Sequence, residues 1–347
     1  MPKDIKDESE SKRPLLSVLV PTYNSEDTIE DTLKSIRTQS IPQDQIEILL
    51  IDGGSTDRTL EIVEKYDVVL INNERRLPVY AIELSFKHAK GQFMMKSASD
   101  EALIDADQLK KRFDYLNDNP EVQCFSYDVL ISPKFDSKNF SRSYMNFFGD
   151  PFTAFVYKLK GSVIQSFRRN IISQDPNGAF LLSVQKGHPY PILDGGNMIS
   201  LDYLNEHFSE KMNDINFLVQ VSEHICLRTG FVCILADDNI IHTSKASFSG
   251  YLKKLQFRVI NNIFNKDISG YGNVAENVPS FRKRQYLYPL YCLSIVLPLF
   301  HSIYYAFKFK DASLLAHFVY AQYTFILIAY YMLRKLLNLP ATSKSYG

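Results

Sequence analysis

From residue 15 onward, short apolar runs alternate with segments whose apolar residues recur every three or four positions. Residues 16–20 (LSVLV) and 46–51 (IEILLI) have the continuous apolar character of strands buried on both faces. Between them, residues 27–38 place Ile29, Leu33 and Ile36 on one face of a helix. The alternation continues with a helix over 59–66, a strand over 68–72, a helix over 79–89 and a strand over 92–96. Strands that alternate with helices in this way predict a mostly parallel sheet with crossover helices, hence an α/β domain. Further on, the pattern predicts a helix over 106–117 and one continuous strand over 122–131. Residues 173–196 read as a loop-rich, substrate-facing insertion, and a strand follows over 231–236.

The pattern changes at the C-terminus. Residues 286–307 and 314–333 are uncharged and aromatic-rich, each about 20 residues, enough to cross a bilayer core. Arg282, Lys283 and Arg284 precede the first, and Arg334 and Lys335 follow the second. That placement predicts a two-span transmembrane hairpin with both ends, and the α/β domain, on the cytoplasmic side. Lys308 and Lys310 in the short link weaken the charge asymmetry. His301, His317 and Gln322 leave a second arrangement open, two buried core helices or a hairpin lying in the interface. Ahead of the hairpin, residues 247–258 form an amphipathic pattern bearing Tyr251, Lys253, Lys254, Phe257 and Arg258, suited to an interface with anionic headgroups. The organisation expected is a disordered polar tail over 1–14, an α/β domain over 15–245, a juxtamembrane segment over 246–285, two spans within 286–335 and a tail over 336–347.

Charge narrows the partners. Lysine plus arginine equals aspartate plus glutamate, 39 each in 347 residues, and tryptophan is absent, so no general attraction to nucleic acid is expected. Cys124, Cys226, Cys233 and Cys292 lack CxxC spacing, which argues for buried thiols in a reduced compartment instead of zinc or disulfides. The N-terminal tail lacks the apolar stretch of a signal peptide.

The chemistry collects at predicted strand ends. Pro21-Thr22-Tyr23-Asn24 follows the first strand, and Asp52-Gly53-Gly54-Ser55-Thr56-Asp57-Arg58-Thr59 follows the second. Glycines there permit close backbone approach to a ligand, and Asp52 and Asp57 can accept hydrogen bonds from a base or ribose. No GxGxxG and no GK[ST] follows the first strand, which excludes a dinucleotide fingerprint and a phosphate loop.

"VLVPTYNSEDTIEDTLKSI" and "ILLIDGGSTDRTLEIV" together resemble the family-two inverting glycosyltransferases of the GT-A (nucleotide-diphospho-sugar transferase) fold. The resemblance implies that Pro21, Thr22, Tyr23, Asn24, Asp52, Gly54, Ser55, Asp57 and Ser99 bind a nucleotide sugar. It also frames "FKHAKGQFMMKSASDE", where the family's D-x-D would bind a divalent cation, Mg²⁺ or Mn²⁺, and the diphosphate. Here the first aspartate is replaced by Ala98, leaving Asp100 as the implied metal carboxylate and Glu101 as a weaker participant. The arginine that family members often carry in the preceding helix is missing from Ala81-Ile82-Glu83. In "HFSEKMNDINFLVQV" the resemblance implies Asp214 as the general base at the start of a helix, with Glu223 as the alternative. His242 stands where a family histidine ligates the cation or contacts the diphosphate.

The function implied is inverting transfer from a nucleotide-sugar donor to a lipid-linked or glycan acceptor at a membrane. A membrane protein that binds nucleotide or glycan without turnover is the alternative, favoured by the altered D-x-D. A nucleotidyltransferase is disfavoured, since no basic G-x-G loop follows the first strand.

Overall fold

The structure, a computed structural model, describes residues 13–133, 137–176, 178–191, 197–264 and 278–341. The polar tail over 1–12 lies outside the described residues. Arg13 is fixed, donating to Lys90 O, Gly91 O and Asp202 Oδ1.

The first half forms β1 (Leu16–Thr22), α1 (Ile29–Arg37), β2 (Ile46–Asp52), α2 (Thr59–Val63), β3 (Val69–Asn72), α3 (Pro78–His88) and β4 (Phe93–Lys96). These four strands pair in parallel in the order β3-β2-β1-β4. Alternation along each strand divides the core. Leu19, Ile51 and Met94 face one layer, while Val18, Val20, Leu50 and Met95 face the other. Gly91 lets the chain enter β4 against β1, because a Cβ there would stand 2.6 Å from Ser17 N and 2.7 Å from Phe93 O.

Next come β5 (Glu101–Leu103), α4 (Gln108–Asp118), β6 (Cys124–Phe125), β7 (Leu130–Ile131), α5 (Arg142–Phe148), α6 (Pro151–Tyr157), α7 (Val163–Ser166), β8 (Ile171–Gln174) and β9 (Ala179–Ser183). They are followed by β10 (Met198–Ser200), α8 (Leu201–Phe208), α9 (Ile215–Val219), α10 (Val221–Thr229), β11 (Phe231–Leu235) and β12 (Ile240–His242). The large sheet runs β3-β2-β1-β4-β10-β6-β11-β9-β8, and β5-β12-β7 makes a small one. The sheet is therefore mixed. β10 is antiparallel to both neighbours, and β8 and β9 pair antiparallel at the far edge.

Two expectations are corrected here. The run over 122–131 is two strands in two sheets, because Ser126 N–H donates to Cys233 O and Asp128 N–H to Asp238 O, which turns the chain from one sheet to the other. The stretch 173–196 contains β9, which buries Ala179 and Leu182 against the core, so part of it is sheet edge and not loop. Residues 192–196 lie outside the described set.

A buried ion pair braces the small sheet. Arg112 Nε donates to Asp238 Oδ2 at 2.7 Å and Nη2 to Oδ1 at 3.2 Å, the two side chains being 0% and 3% exposed. Gln108 Nε2 adds 2.6 Å to Asp238 Oδ1.

The C-terminal part comprises α11 (Phe248–Phe264), α12 (Pro279–Leu293), α13 (Val296–Phe309), a 3-10 turn at Ala312–Ala316 and α14 (His317–Leu336). The expected first span is two helices that meet at 94°. The break falls at Ser294 and Ile295, the latter with φ 57°, a strained value for a β-branched residue. Ala312–Leu336 is long and apolar enough to cross a membrane, with 44% of its apolar stretch buried in the protein. The amphipathic helix is not simply an interfacial one. Tyr251, Leu255, Val259, Ile260 and Ile263 of α11 are buried, packing in shared clusters with Tyr320, Leu327 and Tyr331 of α14. Arg284 of α12 donates to the carbonyls of Phe155 and Val156 at the end of α6. Outside these contacts, α12 to α14 present an apolar rim that includes Tyr286, Leu290, Val296, Phe300, Phe307 and Ile326.

Candidate functional site

The loops after β1 and β2 lie side by side because Thr22 and Asp52 are register partners. Asn24 adopts φ 48°, a left-handed turn that asparagine tolerates. Its N–H donates to Ser55 Oγ at 2.9 Å, and its Oδ1 accepts from Thr56 N–H at 2.8 Å. Ser25 N–H donates to Thr59 Oγ1 at 2.7 Å, and Glu26 N–H to Asp57 Oδ2 at 3.1 Å. The two motifs are one interlocked ledge.

Within that ledge the carboxylates are structural. Asp52 is buried and accepts from Gly54 N–H at 2.9 Å, Ser55 N–H at 3.0 Å and Ser55 Oγ at 2.5 Å. Asp57 accepts from Thr59 N–H and Oγ1 as well as Glu26. Burial pushes the Asp57 carboxyl upward, but these hydrogen bonds together hold it below its ordinary value. What faces outward is different. Pro21 is half-buried at the end of β1 and Tyr23 is 56% exposed, whereas Thr22, between them, is buried with its Oγ1 unpartnered. Gly54, at φ 89°, lies beneath Arg76, and a Cβ there would stand 3.6 Å from Arg76 Nε. The sequence reading missed Arg76. It supplies a positive charge from the loop before α3 and not from within that helix, where the family's arginine is expected.

The third edge of the site is the turn from β4 to β5. Ser99 Oγ lies 2.8 Å from Ser25 Oγ, tying this turn to the ledge. Asp100 Oδ2 stands 3.3 Å from His242 Nε2 on β12, and Thr243 N–H donates to Asp100 O. Burial works to raise the Asp100 carboxyl. Hydrogen bonds from His242 and Ser244, with the charges of His242 and Lys254, outweigh it and leave Asp100 below its ordinary value. Burial lowers Lys254, opposed by Asp100. Glu101 turns inward and accepts from Ala98 N–H at 2.9 Å, and burial raises its carboxyl.

Donor chemistry tests whether a divalent cation fits. Cis ligands of an octahedral ion at about 2.1 Å stand about 3 Å apart, so Asp100 and His242 fit as two protein ligands, with water and phosphate completing the shell. Among the described residues no group of three or more His, Cys, Asp or Glu forms a metal cage.

The candidate bases lie at the start of α9 and on α10. Asp214 is exposed and caps α9, accepting from Asn216 N–H at 2.9 Å. Glu223 is half-buried on α10 and accepts from the Tyr190 hydroxyl. Burial raises the Glu223 carboxyl, and the Tyr190 bond only partly offsets it. A cavity of about 40 Å³ lies between α9 to α10 and the end of β4, lined in part by Lys96, Asn197, Leu218 and Ser222. Asn197 Oδ1 there is buried without a partner.

Residues 17–174 match Glycosyl transferase family 2. The fold is a GT-A-like α/β one. A stretch of 114 residues is 34% identical to the poly(ribitol-phosphate) beta-N-acetylglucosaminyltransferase TarS of Staphylococcus aureus, over 30% of this chain and 19% of that one. A stretch of 87 residues is 33% identical to a dolichyl N-acetyl-alpha-D-glucosaminyl phosphate 3-beta-D-2,3-diacetamido-2,3-dideoxy-beta-D-glucuronosyltransferase of Methanococcus voltae, over 23% and 27%. The matched stretches thus span about a quarter or less of these curated relatives. A mannosyltransferase of Pyrobaculum calidifontis, solved with GDP-Man and Mn²⁺, shares the fold at TM-score 0.51 and 17% identity, over 94% of this chain and 88% of that one.

Proposed function

We propose that this chain is an inverting glycosyltransferase that moves a sugar from a nucleoside-diphosphate donor to a lipid-linked or glycan acceptor at a membrane surface. The observation that carries it is the interlocked ledge after β1 and β2, within the residues that match the family. Tyr23, with the orphaned Thr22 hydroxyl and Arg76, supports binding of a base and diphosphate there. Pro21, Asn24, Asp52, Gly54, Ser55, Asp57 and Ser99 shape that pocket. Asp100 and His242 would hold Mg²⁺ or Mn²⁺, which supplies positive charge to the departing diphosphate. Asp214 takes the acceptor proton, and Glu223 is the alternative base.

The membrane part rests on the apolar rim of α12 to α14 with Arg282, Lys283 and Lys308 exposed beside it. In this reading the C-terminal helices anchor the protein and the catalytic domain faces the cytoplasm. The names of the relatives, a polyol-phosphate and a dolichyl-phosphate glycosyltransferase, support an acceptor that carries phosphate.

Membranes containing the protein, given labelled UDP- and GDP-sugars and then extracted with organic solvent, should yield labelled lipid and free nucleoside diphosphate. Nucleotide binding without turnover across the panel would favour the second reading, a binding protein. The lack of a three-ligand cage among the described residues is the observation on its side. Release of pyrophosphate would refute both.

A further inference from the structure

We infer that Asn146 is the positioning residue that fixes His242 as a cation ligand, an inference that rests on the cation reading above. Asn146 is 8% exposed on α5, ninety-six residues from His242. Its amide orientation is fixed by its neighbours. Nδ2 donates to Ser132 Oγ at 2.9 Å and lies 3.2 Å from His242 O, a carbonyl that can only accept. Oδ1 therefore faces the ring, 2.6 Å from His242 Nδ1. A carbonyl oxygen cannot donate, so Nδ1 carries the proton.

This leaves Nε2 as the ring nitrogen that faces Asp100 Oδ2, 3.3 Å away. A cation held between the two atoms would take one ligand from each. The Asn146 amide fixes the ring's orientation and tautomer, which holds Nε2 on the side of Asp100. Asn146 thus prepares His242 to ligate, and it does so from an element that carries neither ligand. Such partners behind a metal-binding histidine typically change affinity 10–100-fold.

The test is Mn²⁺ binding by the full-length chain in detergent, read by electron paramagnetic resonance of the free ion, with and without UDP or GDP. Asn146→Leu is close in volume and removes the acceptor, so its Kd should rise about 10–100-fold. Asn146→Asp keeps an acceptor at Nδ1 but loses the donors to Ser132 and His242 O, and it should bind near the wild-type Kd. A merely structural Asn146 would make both variants equally weak, which overturns the inference. An Asn146→Leu variant with the wild-type Kd overturns the positioning role and leaves the cation reading standing. No Mn²⁺ binding by the wild type under any condition overturns both. Thermal unfolding of each variant confirms that it is folded.

Discussion

Replacing Arg112 by methionine should destabilise the protein measurably and disturb the site without touching it. Arg112 and Asp238 are 0% and 3% exposed, and their pairing is bidentate at 2.7 and 3.2 Å. Removing one partner of a buried pair costs about 3–5 kcal/mol, mostly through the charge left behind. Asp238 keeps the 2.6 Å bond from Gln108, which places Arg112→Met near the lower figure of about 3 kcal/mol. An unfolding entropy of about 2.1 cal/mol/K per residue, over 347 residues, makes that a fall of about 4 °C in Tm. Asp238→Leu removes the carboxylate from the guanidinium and should cost nearer 5 kcal/mol, or about 7 °C. The double variant should recover part of the loss, because both charges are then gone. Since β12 begins two residues after Asp238, turnover should fall in both single variants. Circular dichroism melts in one detergent provide the measurement. An unchanged Tm in Arg112→Met, or a double variant worse than the sum of the singles, would refute the reasoning.

Asp214→Asn should leave donor binding intact and cut turnover about 10²–10⁴-fold. Normal turnover there with a dead Glu223→Gln would move the base to Glu223. Gly91→Ala forces a Cβ to within 2.6 Å of Ser17 N, and because backbone must shift it should cost about 1–3 kcal/mol, read as a lower denaturation midpoint. Burial raises the folded-state Glu223 carboxyl, so the native state binds more protons than the unfolded chain from about pH 4.3 up through its raised value. Its contribution is therefore present at lower pH and lost as pH rises through that window. Glu223→Gln should flatten this slope in Tm against pH, and an unchanged slope would assign it elsewhere.

What the sequence revealed follows from which forces are local. β1, β2 and β4 are buried on both faces, so their apolar runs are unbroken and their order can be read directly. The ledge is equally legible, because Asn24, Ser55 and Asp57 bond within two short motifs. The division of 122–131 is not, since its cause is bonding to Cys233, Asp238 and Asn239, more than a hundred residues away. Arg112 reads as one more charge on an amphipathic helix until Asp238 is placed beside it. The bend at Ser294 and Ile295 has no glycine or proline at the break to announce it. Asn146 carries no sequence signal at all, because its meaning lies in a partner on β12, ninety-six residues away.

Helix α5 has a consequence for dissecting the protein. Two residues before Asn146, Tyr144 faces the opposite way, and its hydroxyl meets His317 Nδ1 of α14 at 2.6 Å. His317 Nε2 continues to the Tyr291 hydroxyl of α12 at 2.8 Å. Tyr144, Phe148 and Tyr251 are wholly buried, in a cluster completed by Leu314, Ala316 and Tyr320. Cutting the chain ahead of α12 would therefore not trim away an appendage. It would open an aromatic seam to solvent and slacken the helix from which His242 is held. A shortened protein that is sticky and weak in cation binding would report the loss of a shared keel, even with every residue of the ledge still present.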